Sequence, residues 1–208
     1  MYYELATLTL PFGTMPQAAA KVQAFAAAPA ARGQLLGCWT TDIGQLNQMI
    51  VLRGFDSLDA LQAERQRIQR SASPFGCGDL VAHLEVDTWR GFEWMKPVRP
   101  SAVSGITGPV YEIRTYGIKP GGVQPTIDLW AEYLPAREEL SRCVVAMVAL
   151  DGAPRFTNIW AYESVDARSR IRSEAVARGI WPPKGGPAWL TTDMRSTIAL
   201  PVANSPLE

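Results

Sequence analysis

Tyr3-Glu4-Leu5-Ala6-Thr7 and Tyr111-Glu112-Ile113-Arg114-Thr115 are two versions of one stretch, set 108 residues apart (3 to 111), and each is followed at the same distance by a glycine, Gly13 and Gly121. Farther on, Phe55-Asp56-Ser57-Leu58-Asp59-Ala60 returns as Tyr162-Glu163-Ser164-Val165-Asp166-Ala167 at an offset of 107 (55 to 162). Content and spacing both persist across half the chain. The sequence is therefore a tandem repeat, and the repeat governs how every other segment is read. Between the copies, Pro97-Val98-Arg99-Pro100-Ser101-Ala102-Val103-Ser104-Gly105 lacks helical or strand periodicity and reads as a linker. The expected organisation is a first unit at residues 1–96, a linker at 97–109 and a second unit at 110–208.

Each copy reads as strand, helix, strand, strand, helix, strand. Residues 2–10 and 110–118 are rich in β-branched and aromatic residues and end at turn formers. A helix follows in each. In the first copy Thr14 is placed to cap it and Pro16 suits its first turn. In the second, Ile127, Trp130 and Leu134 keep helical spacing until Pro135, where the helix is expected to kink or stop. Residues 35–41 and 49–53, and likewise 144–150 and 156–162, read as hairpins across Gly44 and Asp151-Gly152. Ser57 and Ser164 suit the N-caps of second helices, and final strands fall near 80–89 and 194–200.

The order βαββαβ is the ferredoxin-like motif. One such unit covers a single face of its sheet with helices and leaves the other face bare. Two units in one chain can press the bare faces together, which protects their edges. The expected fold is α+β, with two tandem ferredoxin-like (βαββαβ) units forming a pseudo-dimeric α/β barrel within one chain, and the enclosed space is the expected ligand site.

Composition narrows the function. The 208 residues are 47% hydrophobic and 19% charged, with 20 Lys plus Arg against 20 Asp plus Glu. Such a balance offers no field of one sign for nucleic acid or an anionic membrane, so neither is an expected partner. Met1-Tyr2-Tyr3-Glu4-Leu5 lacks the features of a signal peptide, and no apolar run reaches membrane-spanning length, which points to a cytoplasmic protein. Cys38, Cys77 and Cys143 have neither CxxC spacing nor an even count, and read as buried small side chains.

Val110-Tyr111-Glu112-Ile113-Arg114-Thr115-Tyr116, followed by Ile118-Lys119-Pro120-Gly121, resembles the opening of the NIPSNAP domain. Leu134-Pro135-Ala136-Arg137, Leu46-Asn47-Gln48, Trp160-Ala161-Tyr162-Glu163-Ser164 and the tail Asn204-Ser205-Pro206-Leu207 resemble further segments of that family. The resemblance covers the second copy nearly end to end and the first more loosely. It implies a dimeric α/β-barrel fold, a class that includes cofactor-independent oxygenases, isomerases, dehalogenating enzymes and haem proteins. Asn158 stands where family members often carry His, with Val51 at the matching place in the first copy. Arg53 stands where the second copy has Trp160. These departures argue against shared His-dependent chemistry.

Strand alternation separates Tyr111, Ile113 and Thr115 from Glu112, Arg114 and Tyr116. The first set is expected under the helices and the second inside the barrel. There Arg114 would orient a carboxylate or enolate while Glu112 or Tyr116 moves a proton. The competing reading is an interior polar network that touches no substrate. In the first copy the same positions are Glu4, Ala6 and Leu8, so the polar character should be lopsided. Asn158, Trp160 and Tyr162 share a strand face and would line the same space as ligand-binding groups. His83, the single histidine, is expected to face solvent, the alternative being an axial haem ligand. Trp181-Pro182-Pro183-Lys184-Gly185-Gly186-Pro187 reads as a loop over one barrel end, a connector or a lid.

No phosphate-binding glycine loop, nucleophile elbow or metal cluster appears in the sequence, so no cofactor and no metal are expected. The leading expectation is a protein binding a small hydrophobic, carbonyl-bearing or phenolic molecule, with cofactor-independent oxygenase or isomerase chemistry in view. The alternative is an interaction or scaffold protein whose barrel is filled by its own side chains. A homo-oligomer is compatible with both.

Overall fold

A computed structural model describes residues 1–208. The first half supplies β1 (Tyr2–Thr9), α1 (Met15–Ala26), β2 (Gln34–Ile43), β3 (Gln48–Phe55), α2 (Leu58–Arg70) and β4 (His83–Gly91). A single helical turn, α3 (Ser101–Ser104), precedes β5 (Val110–Ile118), α4 (Val123–Glu138), β6 (Cys143–Ala149), β7 (Arg155–Tyr162), α5 (Val165–Ala177) and β8 (Leu190–Pro201). The eight strands close an antiparallel barrel in the order β1-β3-β2-β8-β5-β7-β6-β4. Within each half the order is that of a ferredoxin-like sheet. The halves join where Trp39 to Ile43 of β2 meet β8 and where Trp89 to Gly91 of β4 meet β6.

Local signals account for most element boundaries. Ser57 accepts from the Ala60 amide at 3.1 Å and Ser164 from the Ala167 amide at 3.0 Å, so both second helices start at a side-chain cap. Thr14 does not cap α1; its hydroxyl donates to the Pro11 carbonyl at 2.7 Å instead. Nor does α4 stop at Pro135. It runs on to Glu138 because Leu134 and Arg137, on the turns around the proline, are both buried, and that packing outweighs one missing backbone donor. The segment expected to lack helical structure forms the short α3, whose Ser101 hydroxyl donates to the Ile106 carbonyl at 2.8 Å.

Three apolar clusters set the layers. Seventeen buried residues from both halves, among them Tyr3, Trp39, Trp89, Tyr111, Ile113 and Ile159, fill the barrel interior. Val98 of the linker and Leu207 of the tail join this cluster. Trp39 and Tyr111, one from each half, meet there with ring centroids 5.1 Å apart. The bulge in β2 at Gly37 permits this, since a Cβ at Gly37 would stand 2.1 Å from the Trp39 indole. The second cluster packs α1 and α2 onto Ala6, Leu8, Met49 and Val51. The third packs α4 onto Phe156, Trp160, Tyr162 and Ile198.

This layering reverses the expected facing of β5. Tyr111 and Ile113 lie in the interior, whereas Glu112, Arg114 and Tyr116 lie on the outer face of the sheet, beneath the helices. The reason is electrostatic. An interior closed by two apolar sheet faces offers a guanidinium no partner or water, whereas the helix layer can bring polar side chains to meet it. The barrel interior, expected to hold a ligand, is instead a packed core.

Candidate functional site

The polar site of the second half is organised around Glu112, which is fully buried. Its Oε1 accepts from Arg168 Nη2 at 2.5 Å, Arg114 Nη1 at 2.5 Å and the Ser196 hydroxyl at 2.8 Å. Arg172 Nη1 stands 3.7 Å from Oε2, and the Tyr162 hydroxyl donates to the same oxygen at 3.5 Å. Burial alone would push the carboxyl up. The Arg168 hydrogen bond, the Arg114 charge and the Ser196 hydroxyl outweigh it and pull the carboxyl down to about 2. Glu112 is thus a fixed anion and a poor proton acceptor at neutral pH. Burial, followed by the charge on Glu112, raises the phenol of Tyr162, which stays protonated.

In front of this hub lies a cavity of about 270 Å³ between the sheet, α4, α5 and the segment after α5. Trp130, Phe156, Trp160 and Trp181 supply aromatic wall, and Arg114, Tyr116, Asn158, Arg137 and Arg172 supply polar groups. Trp130 meets Trp181 edge-on at 4.8 Å and Phe156 at 5.3 Å, so the walls brace one another. Arg114 Nε donates to the Tyr116 hydroxyl. Trp160 Nε1 donates to Asn158 Oδ1 at 2.7 Å, and Asn158 Nδ2 reaches the Arg114 carbonyl at 3.4 Å, which ties neighbouring strands together at the cavity floor.

Of the residues singled out in the sequence, Arg114, Tyr116, Asn158 and Trp160 line the cavity, while Glu112 and Tyr162 sit behind it and bond to groups that do. Trp181, Pro182, Pro183 and Pro187 bring their loop against the cavity. His83 lies elsewhere, exposed at the start of β4 with Nε2 3.2 Å from Glu85. No group of three or more His, Cys, Asp or Glu side chains is placed to hold a metal ion. Burial pushes the Cys38 thiol up to about 12 and the Cys77 thiol up to about 11, so neither is a nucleophile at neutral pH.

Arg137, Arg168 and Arg172 were not legible as site residues. Arg168 and Arg172 sit four apart on α5, whose buried positions are the small Ala167 and Ala175, so their side chains can reach inward across them to Glu112. Arg137 lies just beyond Pro135, where the sequence predicts that the helix kinks or stops.

The equivalent face of the first half is built differently. Arg53 pairs with Glu4 at 2.6 Å and Glu64 at 2.5 Å, both buried, and lies 5.1 Å from the Phe75 ring. Both outer faces therefore carry buried charge, the first half drawing it from Arg53 and Glu64 because Ala6 and Leu8 stand where the second half has Arg114 and Tyr116.

The NIPSNAP family model matches residues 3–73 and 111–206. A Dictyostelium discoideum protein described as "Protein NipSnap homolog" is 29% identical over 148 residues, covering 70% of this chain and 65% of its own length. The chain therefore spans just under two thirds of that relative. An anthrone oxidase-like protein of known structure superposes with a TM-score of 0.64 at 12% identity, over 100% of this chain and 94% of its own. A Lactobacillus acidophilus NCFM protein provisionally described as a monooxygenase superposes with a TM-score of 0.65 at 11% identity, over 96% of this chain and 93% of its own. Both share the dimeric α/β-barrel fold.

Proposed function

The chain belongs to the NIPSNAP family, and from that premise we propose that it binds a small hydrophobic molecule bearing a carbonyl or phenolic oxygen in the cavity beneath α4 and α5. One observation carries this reading: Arg114 and Tyr116, on one strand face and hydrogen-bonded to each other, both open onto a space walled by indoles. Because Arg114 donates to the tyrosine oxygen, the Tyr116 hydroxyl hydrogen is left to turn toward a ligand oxygen. Arg114 then supplies positive charge where an enolate or phenolate would develop, Tyr116 donates a hydrogen bond to the same oxygen, and the proton lost by the ligand passes to solvent water. Glu112 is a positioning residue that holds Arg114 and Arg168 in place. Proton exchange at an activated carbonyl or phenol is the opening step of cofactor-independent oxygenase and isomerase chemistry. The monooxygenase and oxidase-like descriptions of the two solved structures agree with that direction, although at their identities they speak for fold alone.

The packed barrel interior favours a second reading, a non-catalytic interaction protein. The cavity on the helix side weighs against it. Two further features complete the proposal. Three buried cysteines without disulfides fit a reducing compartment, so we place the protein in the cytoplasm; no helix is long and apolar enough to cross a membrane. One chain closes the barrel by itself, so a homo-oligomer would form through outer surfaces.

Titration with 2-naphthol, followed by tryptophan fluorescence, tests the proposal because three indoles line the cavity. Saturable quenching is expected in the native protein and is expected to be lost in Arg114→Ala, with thermal unfolding still cooperative. Quenching that never saturates would favour the interaction protein.

A further inference from the structure

Arg137 is a buried cation without a counter-ion. It is 2% exposed, and none of the ion pairs of the protein involves it. Its Nη1 donates to the Ser141 hydroxyl at 2.7 Å and its Nη2 to the Tyr162 hydroxyl at 3.4 Å, both neutral acceptors. The guanidinium lies 4.5 Å from the Trp160 ring centroid, against the aromatic face. Every other guanidinium buried to this degree has a carboxylate: Arg53, the only comparable case, has two. A buried charge without such a partner is costly unless something else supplies the opposite sign.

The surroundings indicate what supplies it. Arg137 forms part of the cavity wall, and so does Arg172, whose contact with Glu112 is a long 3.7 Å. Glu112 is the only carboxylate in the hub and already faces Arg114, Arg168 and Arg172. The cavity end near Arg137 therefore carries uncompensated positive charge, and no carboxylate lines the cavity, whose remaining wall is mostly aromatic and aliphatic apart from Arg114, Tyr116, Thr126 and Asn158. At about 270 Å³ the space sits near the lower limit of ligand pockets, roughly 300 Å³, and suits a body of one or two rings rather than a lipid or a nucleotide.

We propose that the cavity takes a small aromatic carboxylate, with Arg137 as the group that binds its carboxylate and Arg172 assisting. This rests on the reading of the cavity as a binding site and adds to it the class of ligand. A planar carboxylate matches the fork of a guanidinium, and a ring attached to it would extend along the wall that Trp130 and Trp181 form. Arg114 and Tyr116 then meet whatever oxygen the ring carries farther along, so one arginine recognises the acid and another serves the reacting group.

The test compares 2-naphthoate with 2-naphthol at pH 7, by tryptophan quenching and by the rise in melting temperature. Native protein is expected to bind the carboxylate about tenfold to a hundredfold more tightly, as a charged hydrogen bond in a dry site allows. Arg137→Met, close in length and without the charge, is expected to abolish this preference, read as the ratio of the two affinities in the same variant. Should Arg137→Met fail to fold, Arg172→Gln, at a partly exposed position, is expected to reduce the preference several-fold. Equal affinity for the two probes, or a preference that survives in these variants, overturns the carboxylate site while leaving the cavity reading intact. Binding of 2-naphthoate alone, lost in Arg137→Met, upholds the site and overturns the phenol reading. Binding of neither probe overturns both.

Discussion

Arg53 and Trp160 occupy matching positions in the two halves, each directly opposite a buried glutamate on the neighbouring strand, Glu4 and Glu112 respectively. That single difference organises the molecule. Where the strand supplies arginine, the glutamate is neutralised on the spot and the face beneath the helices is closed by an internal ion network. Where it supplies tryptophan, the glutamate draws Arg114 from its own strand and Arg168 and Arg172 from α5, and a cavity lies beside them.

The first half should therefore be sensitive to loss of Arg53. Removing one partner of a buried pair leaves an uncompensated charge, and the Glu4 Oε2 atom already lacks a hydrogen bond. Arg53→Met is expected to destabilise the protein by about 3–5 kcal/mol, read from the urea midpoint, and the double variant with Glu4→Met should recover much of the loss.

Glu112 makes stability depend on pH in a defined window. Its carboxyl is held at about 2 in the folded protein against an ordinary value of 4.5, so the folded state binds fewer protons than the unfolded chain between those values. The contribution is fully present above pH 4.5 and is lost as pH falls toward 2, amounting to roughly 3 kcal/mol at about 1.4 kcal/mol per pH unit. In Glu112→Gln this component is absent, so the stability gap between native protein and variant should narrow on acidification from pH 5 to pH 2.5. A constant gap across that range would contradict the assignment.

Trp181 should matter for binding more than for folding. It contacts Trp130 at 4.8 Å and Trp160 at 6.0 Å from a loop outside the sheet. A ring stacked on the Trp181 indole would gain about 0.5–1.5 kcal/mol from that contact, so Trp181→Ala is expected to weaken 2-naphthol binding up to roughly tenfold in a fluorescence titration.

His83 should be dispensable. Its side chain is 64% exposed and meets only Glu85. His83→Ala is expected to change unfolding free energy by less than about 0.5 kcal/mol, and haemin added to the native protein should give no Soret band that the substitution removes.

The repeat made the barrel legible, because two copies of Tyr-Glu-hydrophobic at a constant offset place the same strand twice. Alternation also grouped Glu112 with Arg114 and Tyr116, and Asn158 with Trp160 and Tyr162. What it could not reveal was which way each group points. Both faces of β5 are buried, one by the opposite half and one by helices, so hydrophobicity does not distinguish them. Tyr111 and Ile113 are as suitable for a barrel core as for a helix contact, and only their meeting with Trp39 and its neighbours decides it. The arginines of α5 were hidden for a related reason: Arg170, Glu174 and Arg178 form an ordinary solvated face, while Arg168 and Arg172 cross the alanines of the opposite one. Arg137 was masked by Pro135, where local backbone preference and tertiary packing disagree.

A crystal structure of the native protein in complex with 2-naphthoate tests most directly whether binding occurs outside the barrel. The expected result places the carboxylate against Arg137 and the rings between Trp130 and Trp181, with the barrel interior unchanged. Ligand lodged among Tyr3, Trp39 and Tyr111, or absent from the cavity beneath α4 and α5, would contradict it.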